Sequence, residues 1–117
     1  MPARPTPLAA LPAAAAAVLL LALPVAGASP PTPAELGREK FVQCASCHGA
    51  DGRSTVIPQY PKIGGQSGPY VINALKAYRE GRRLGTFAAV MAEVAKPLSD
   101  ADIENLAAYV ESLDAPN

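Results

Sequence analysis

Five residues, Cys44-Ala45-Ser46-Cys47-His48, constrain this chain more than any other feature, because they hold both of its cysteines and its only histidine. They form a C-x-x-C-H run. That spacing lets two sulfurs add to the two vinyl groups of one porphyrin while the next residue turns its imidazole onto the metal, the attachment pattern of a c-type haem. A disulfide or a zinc site has no need for the trailing histidine. A thioredoxin-like dithiol calls for a strand–turn–helix setting, and no segment here alternates well enough to make a strand.

The 117 residues leave room for one domain, and part of the chain lies outside it. Residues 1–28 read as a secretory signal peptide. Arg4 is the only charged side chain there, an apolar run rich in alanine and leucine follows from Leu8 to Leu23, and Ala26-Gly27-Ala28 supplies the small residues a signal peptidase needs. The run is short for a bilayer span, which takes about 20 apolar residues. Retention as an uncleaved anchor is the alternative, and membrane contact is expected only in that case. Cleavage after Ala28 leaves residues 29–117 as a soluble periplasmic domain. Export sets a chemical condition as well: Cys44 and Cys47 must stay reduced until haem arrives, in a compartment that favours disulfides.

Charge is balanced at 10 basic and 10 acidic residues, and loss of Arg4 leaves 9 against 10. No basic run exists to neutralise phosphates, so nucleic acid is excluded as a partner.

The order of elements is all-α. Thr32 stands at an N-cap, Pro33 at the first helical position and Glu35 three residues after the cap, which together make a capping box. Leu36, Gly37 and Phe41 mark the packing face, and this helix is expected to reach about Gln43 and deliver the chain into the cysteine motif. Residues 49–68 read as loop, broken by five glycines and by Pro58 and Pro61. Pro69 opens a second helix with Val71, Leu75 and Tyr78 at i, i+4 and i+7. It ends near Gly81, where Arg79, Arg82 and Arg83 complement the negative end of the helix dipole. Residues 86–95 suit a short helix stopped by Pro97. A last helix starts at the Ser99 cap with Asp102 completing a second box, and Ile103, Leu106, Ala107, Val110 and Leu113 keep helical spacing. The expected fold is three to four short helices packed around one haem.

The stretches "CASCHGADG", "YPKIGGQ", "YVINALKAYREG" and "LSDADIENLAAYVESL" cover most of residues 37–113. In content and order they resemble a small class I cytochrome c of the bacterial cytochrome c4 and c553 type. The resemblance implies a small cytochrome c fold with Cys44 and Cys47 as thioether anchors of one covalently bound haem c, and with His48 as the proximal iron ligand. It implies that Pro61 offers its carbonyl to Nδ1 of His48, a contact that fixes the ring and raises its basicity. It implies that Gly37 and Phe41 cross Leu106 and Tyr109. It also implies Met91 as the sixth ligand, seven residues before Leu98. One departure bears on that last position: "GTFAAV" before Met91 is more helical than the proline-containing approach common in relatives.

Read alone, Met91 has a second account. Phe87, Val90, Met91 and Val94 fall at i, i+3, i+4 and i+7, so a plain core stripe also places a methionine here. Elimination favours the ligand, since Met1 leaves with the signal peptide and no second histidine exists, and the remaining candidates are lysines or an open site. Arg79, Arg82 and Arg83 read equally as a solvated helix end, a docking patch or partners of the haem propionates, and Tyr60, Tyr70 and Tyr78 as lining of the haem or propionate edge. Asp100, Asp102 and Glu104 are helix-start residues rather than catalytic carboxylates.

Two axial ligands leave no vacant iron site, which points to electron transfer rather than enzymatic turnover. The expected function is a periplasmic carrier of single electrons. Its partners would be transient redox proteins: membrane cytochrome complexes, a terminal oxidase or a periplasmic dehydrogenase. The alternatives are a dedicated haem subunit of one such complex and, in another class, a ligand-binding or peroxidase-like haem protein with an open sixth position. A domain this small has a thin core and usually needs a staple. Two thioethers and two axial bonds to one large apolar plate would provide it, so the polypeptide without haem is expected to be largely unfolded.

Overall fold

A computed structural model describes residues 1–113. Four helices carry the fold: α1 (Pro33–His48), α2 (Gly68–Arg79), α3 (Ala88–Ala95) and α4 (Asp100–Ser112). Among the described residues there is no strand, as the all-α expectation required. Residues 1–32 carry no regular secondary structure and are exposed throughout. No helix among the described residues is long and apolar enough to cross a membrane.

Both capping boxes form. Thr32 accepts from the Glu35 backbone while the Glu35 carboxylate takes the Thr32 N–H at 2.7 Å, and Ser99 and Asp102 exchange the same pair of bonds at 3.0 Å each. Each box satisfies backbone donors that a helix start otherwise leaves open. The Asp102 carboxylate also meets Lys40 at 3.2 Å, which ties the start of α4 to α1.

Helix α1 outruns its expected end at Gln43 and continues through His48. Nothing in Cys44–His48 opposes helix, and the first residue that does is Gly49. It turns the chain with φ +84°, a conformation in which a side chain would be strained. Leu36 is a second correction: it is 39 % exposed, one position off the packing face, while Gly37 and Phe41 are buried.

The core lies where α4 crosses α1 and α2, with α3 against α2. Ile103, Leu106 and Val110 of α4 pack with Phe41, Ala95 and Leu98. Phe41 meets Tyr109 edge to face, ring centres 5.1 Å apart. Helix α2 contributes Val71, Leu75 and Tyr78, which are only partly covered. Arg79 fastens its end, donating to the Leu98 carbonyl at 2.9 Å and to the Asp100 carboxylate at 2.6 Å.

The long loop between α1 and α2 is pinned rather than loose. The Asp51 carboxylate accepts from the Arg53 and Ser54 backbone at 2.8 and 2.7 Å and from the Ser54 hydroxyl at 2.7 Å. The Gly52 carbonyl accepts from Ile63 and Gly64, and Gly65 donates to the Val110 carbonyl at 2.8 Å. Arg53 reaches across to the Leu113 carbonyl, also at 2.8 Å. These bonds fix the segment carrying Tyr60 and Pro61 against the end of α4.

Candidate haem site

The extension of α1 has a chemical consequence. Positions i, i+3 and i+4 of a helix share one face, so Cys44, Cys47 and His48 leave its last turn together. The two cysteines are not joined in a disulfide. Burial pushes the Cys44 thiol up to about 11, with neighbouring Cys47 pushing the same way. At neutral pH that sulfur is protonated and a weak nucleophile.

His48 is buried, and its Nδ1 lies 2.7 Å from the Pro61 carbonyl oxygen. A carbonyl only accepts, so Nδ1 donates. That tautomer leaves the Nε2 lone pair to a metal. The ring is further walled by Tyr60, 6.3 Å away, which meets Phe87 edge to face at 5.4 Å.

Two cavities open beside this turn, of about 300 and 190 Å³. Cys44, His48, Pro61, Tyr78 and Met91 line both, so the two are lobes of one slot. Cys47, Tyr60 and Phe87 wall the larger lobe, and Phe41, Ile63 and Leu75 the smaller. Met91 comes from α3 and is half-buried. The core-stripe account of its helix does not hold, because Phe87 and Val90 are 36 % and 48 % exposed and line the cavity mouth with Val94 instead of packing inward.

The donor set fits a haem. Two thiols, one imidazole with a free Nε2 and one thioether border a slot that is otherwise apolar, with no carboxylate in the lining of either lobe. A bare metal ion is a poorer match: among the described residues, no three His, Cys, Asp or Glu side chains converge to hold one.

The three arginines separate. Arg79 is committed to Leu98 and Asp100, and Arg82 pairs with Glu80 at 2.6 Å. Arg83 lines the smaller lobe beside Tyr70 and Tyr78. Tyr60 lines the other lobe. Leu84, exposed at the mouth of the larger lobe, and Arg53, which anchors the loop, escaped the sequence reading. An isolated leucine between an arginine and a glycine carries no periodic signal, and nothing local announces a bond to a carbonyl sixty positions away.

A model of the cytochrome c family matches residues 34–114. Cytochrome c-554(548) of Halomonas halodenitrificans is 46 % identical over 79 residues, covering 68 % of this chain and 94 % of the relative. The thiosulfate dehydrogenase electron acceptor of Thiomonas intermedia is 37 % identical over 70 residues, or 60 % of this chain and 31 % of that protein. Among solved structures, reduced recombinant cytochrome c4 from Pseudomonas stutzeri superposes with a TM-score of 0.62 at 33 % identity, covering 73 % of this chain and half of the other. The chain thus spans nearly all of one relative and half or less of the other two.

Proposed function

The chain belongs to the cytochrome c family, whose members hold haem c covalently and transfer electrons, and on that footing we propose that it is a periplasmic carrier of single electrons. Cys44 and Cys47 are the thioether anchors, and His48 and Met91 the axial ligands. One observation carries this reading: His48 and Met91 both border the slot that also exposes Cys44.

When bound, the haem iron supplies a one-electron Fe(III)/Fe(II) couple. The protein supplies the surroundings. The Pro61 carbonyl holds the His48 ring and makes it a stronger donor. A thioether from Met91 favours the reduced metal and raises the potential relative to a second imidazole. Phe41, Ile63 and Leu75 keep water from the inner wall, which favours the state of lower net charge. Both ligands sit on helices, His48 on α1 and Met91 on α3, and the pinned loop holds the His48 ring through Pro61, so they move little between oxidation states.

Leu84, Phe87 and Val90 stand exposed at the slot's mouth and offer a small apolar contact for a transient redox partner. A relative named as an electron acceptor of thiosulfate dehydrogenase makes a dehydrogenase one candidate donor. Residues 1–28 would direct export, and the secreted protein should begin at Ser29.

The test is a redox titration of the holoprotein beside Met91→Ala. The variant is expected to lose the high midpoint potential and to bind carbon monoxide when reduced. A titration that overlays the wild type would remove Met91 from the iron and reopen the ligand-binding alternative.

A further inference from the structure

Met91 needs a firm mount to stay on an iron, and its own helix provides little of one. Of the eight residues of α3 only Ala95, the last, is buried. Residues 84–86, which lead into the helix, are exposed, and Phe87 at its N-cap makes no side-chain capping bond. What Phe87 does make is a ring contact. It meets Tyr60 edge to face, with ring centres 5.4 Å apart and planes at 79°.

The two rings belong to the two ligand-bearing segments. Tyr60 directly precedes Pro61, whose carbonyl takes the His48 Nδ1 bond, and the Phe87 carbonyl accepts from the Met91 N–H at 3.2 Å. Both side chains line the larger lobe of the slot. The Tyr60 side is fixed, because the loop behind it is pinned by the bonds of Gly52 to Ile63 and Gly64 and of Gly65 to Val110. The ring pair therefore ties the open end of α3 to a rigid part of the fold. A contact made with Met91 facing the slot, and lost when the start of α3 swings away, favours the first arrangement by its own worth.

We propose that Tyr60 and Phe87 are positioning residues, a clasp that keeps Met91 on the iron and so closes the sixth position to small ligands such as imidazole. Neither ring supplies an iron ligand. The clasp acts through Met91, so it governs ligand exchange and leaves the midpoint potential, set by the unchanged ligand pair, near its wild-type value. This rests on the haem and Met91 assignments above.

The experiment titrates the ferric holoprotein with imidazole and reads the association constant and, at saturating imidazole, the rate at which the thioether leaves. Phe87→Leu and Tyr60→Leu should each raise both by about two- to tenfold, the factor an aromatic pair is worth, at an unshifted potential. The double variant should bind no more tightly than either single one, because its second substitution removes a contact already lost. Tyr60→Phe keeps the ring and should match wild type. So should Glu93→Ala, which alters an exposed side chain of the same helix. Wild-type imidazole affinity in both leucine variants would overturn the proposal, as would additive effects in the double variant or an equal rise in Tyr60→Phe or Glu93→Ala. Should Phe87→Leu not accumulate, Tyr60→Leu decides against Tyr60→Phe, and equal affinities for the two refute the clasp. A wild type that takes imidazole as readily as Met91→Ala would defeat the Met91 assignment instead, and one without covalent haem the haem assignment.

Discussion

Gly37 of α1 lies against the backbone of Asn105 in α4 with no room for a side chain: a methyl group there would overlap the Asn105 carbonyl and sit 2.8 Å from Cβ of Tyr109. The crossing of the two helices is set by this contact, and the Phe41–Tyr109 pair one turn on depends on it. Backbone cannot move aside as a side-chain tip can. Gly37→Ala should therefore destabilise the holoprotein by about 1–3 kcal/mol despite alanine's better helix propensity. Guanidinium unfolding followed at the haem absorbance measures it, and an unchanged midpoint would mean that the helices cross elsewhere.

The long loop should make the protein acid-sensitive in a defined window. The Asp51 carboxylate, accepting from the Ser54 and Arg53 backbone and the Ser54 hydroxyl, is held down to about 2. Its value in the unfolded chain is about 3.9. A folded value below the unfolded one stabilises the fold above about pH 4, and that contribution is lost as pH falls through about 2. Asp51→Asn should flatten the fall in unfolding midpoint between pH 4 and 2. Equal slopes in variant and wild type would show that the turn does not need the charge.

Arg79 makes two bonds of unequal worth. The Asp100 carboxylate is well exposed, and water screens that pair. The Leu98 carbonyl belongs to a buried residue and has no such substitute. Arg79→Ala should cost about 1–2 kcal/mol, whereas Asp100→Asn should leave the denaturation midpoint nearly unchanged. If the two variants lose equally, the ion pair and not the carbonyl bond secures the end of α2.

What the sequence disclosed follows physical range. Thr32–Glu35 and Ser99–Asp102 are contacts three residues apart, and both capping boxes form as the pattern requires. The 3.6-residue period of Ile103, Leu106 and Val110 likewise marks the buried face of α4. The continuation of α1 through His48 was missed because Cys-x-x-Cys-His is read for its chemistry, and its plain helical compatibility is overlooked. The fates of Arg79, Arg82 and Arg83 were illegible: three like charges in five residues differ only in what distant chain comes to meet them. Phe87 and Val90 misled for a related reason, since periodicity says which residues share a face but not whether that face meets protein or an open slot.

Removal of the haem gives the widest test of how the fold is held. Among the described residues, the buried apolar side chains lie between α1, the α3–α4 junction and α4: Phe41, Ala95, Leu98, Ile103, Leu106, Ala107 and Val110. Those of α2, by contrast, are partly exposed, and Val71, Leu75 and Tyr78 line the slot. A domain this small has only about 5–15 kcal/mol of net stability, and an unfilled slot forfeits the burial that α2 and α3 rely on. Cys44→Ser/Cys47→Ser, which cannot form the thioethers, should therefore lose most of its far-ultraviolet helical signal and its cooperative unfolding. Any residual hydrogen-exchange protection should sit in α1 and α4, where Gly37 meets Asn105, and not in α2. A haem-free variant that unfolds cooperatively, with α2 as protected as α4, would mean that the polypeptide alone specifies the fold and that the slot is a pocket within it, with no structural need to be filled.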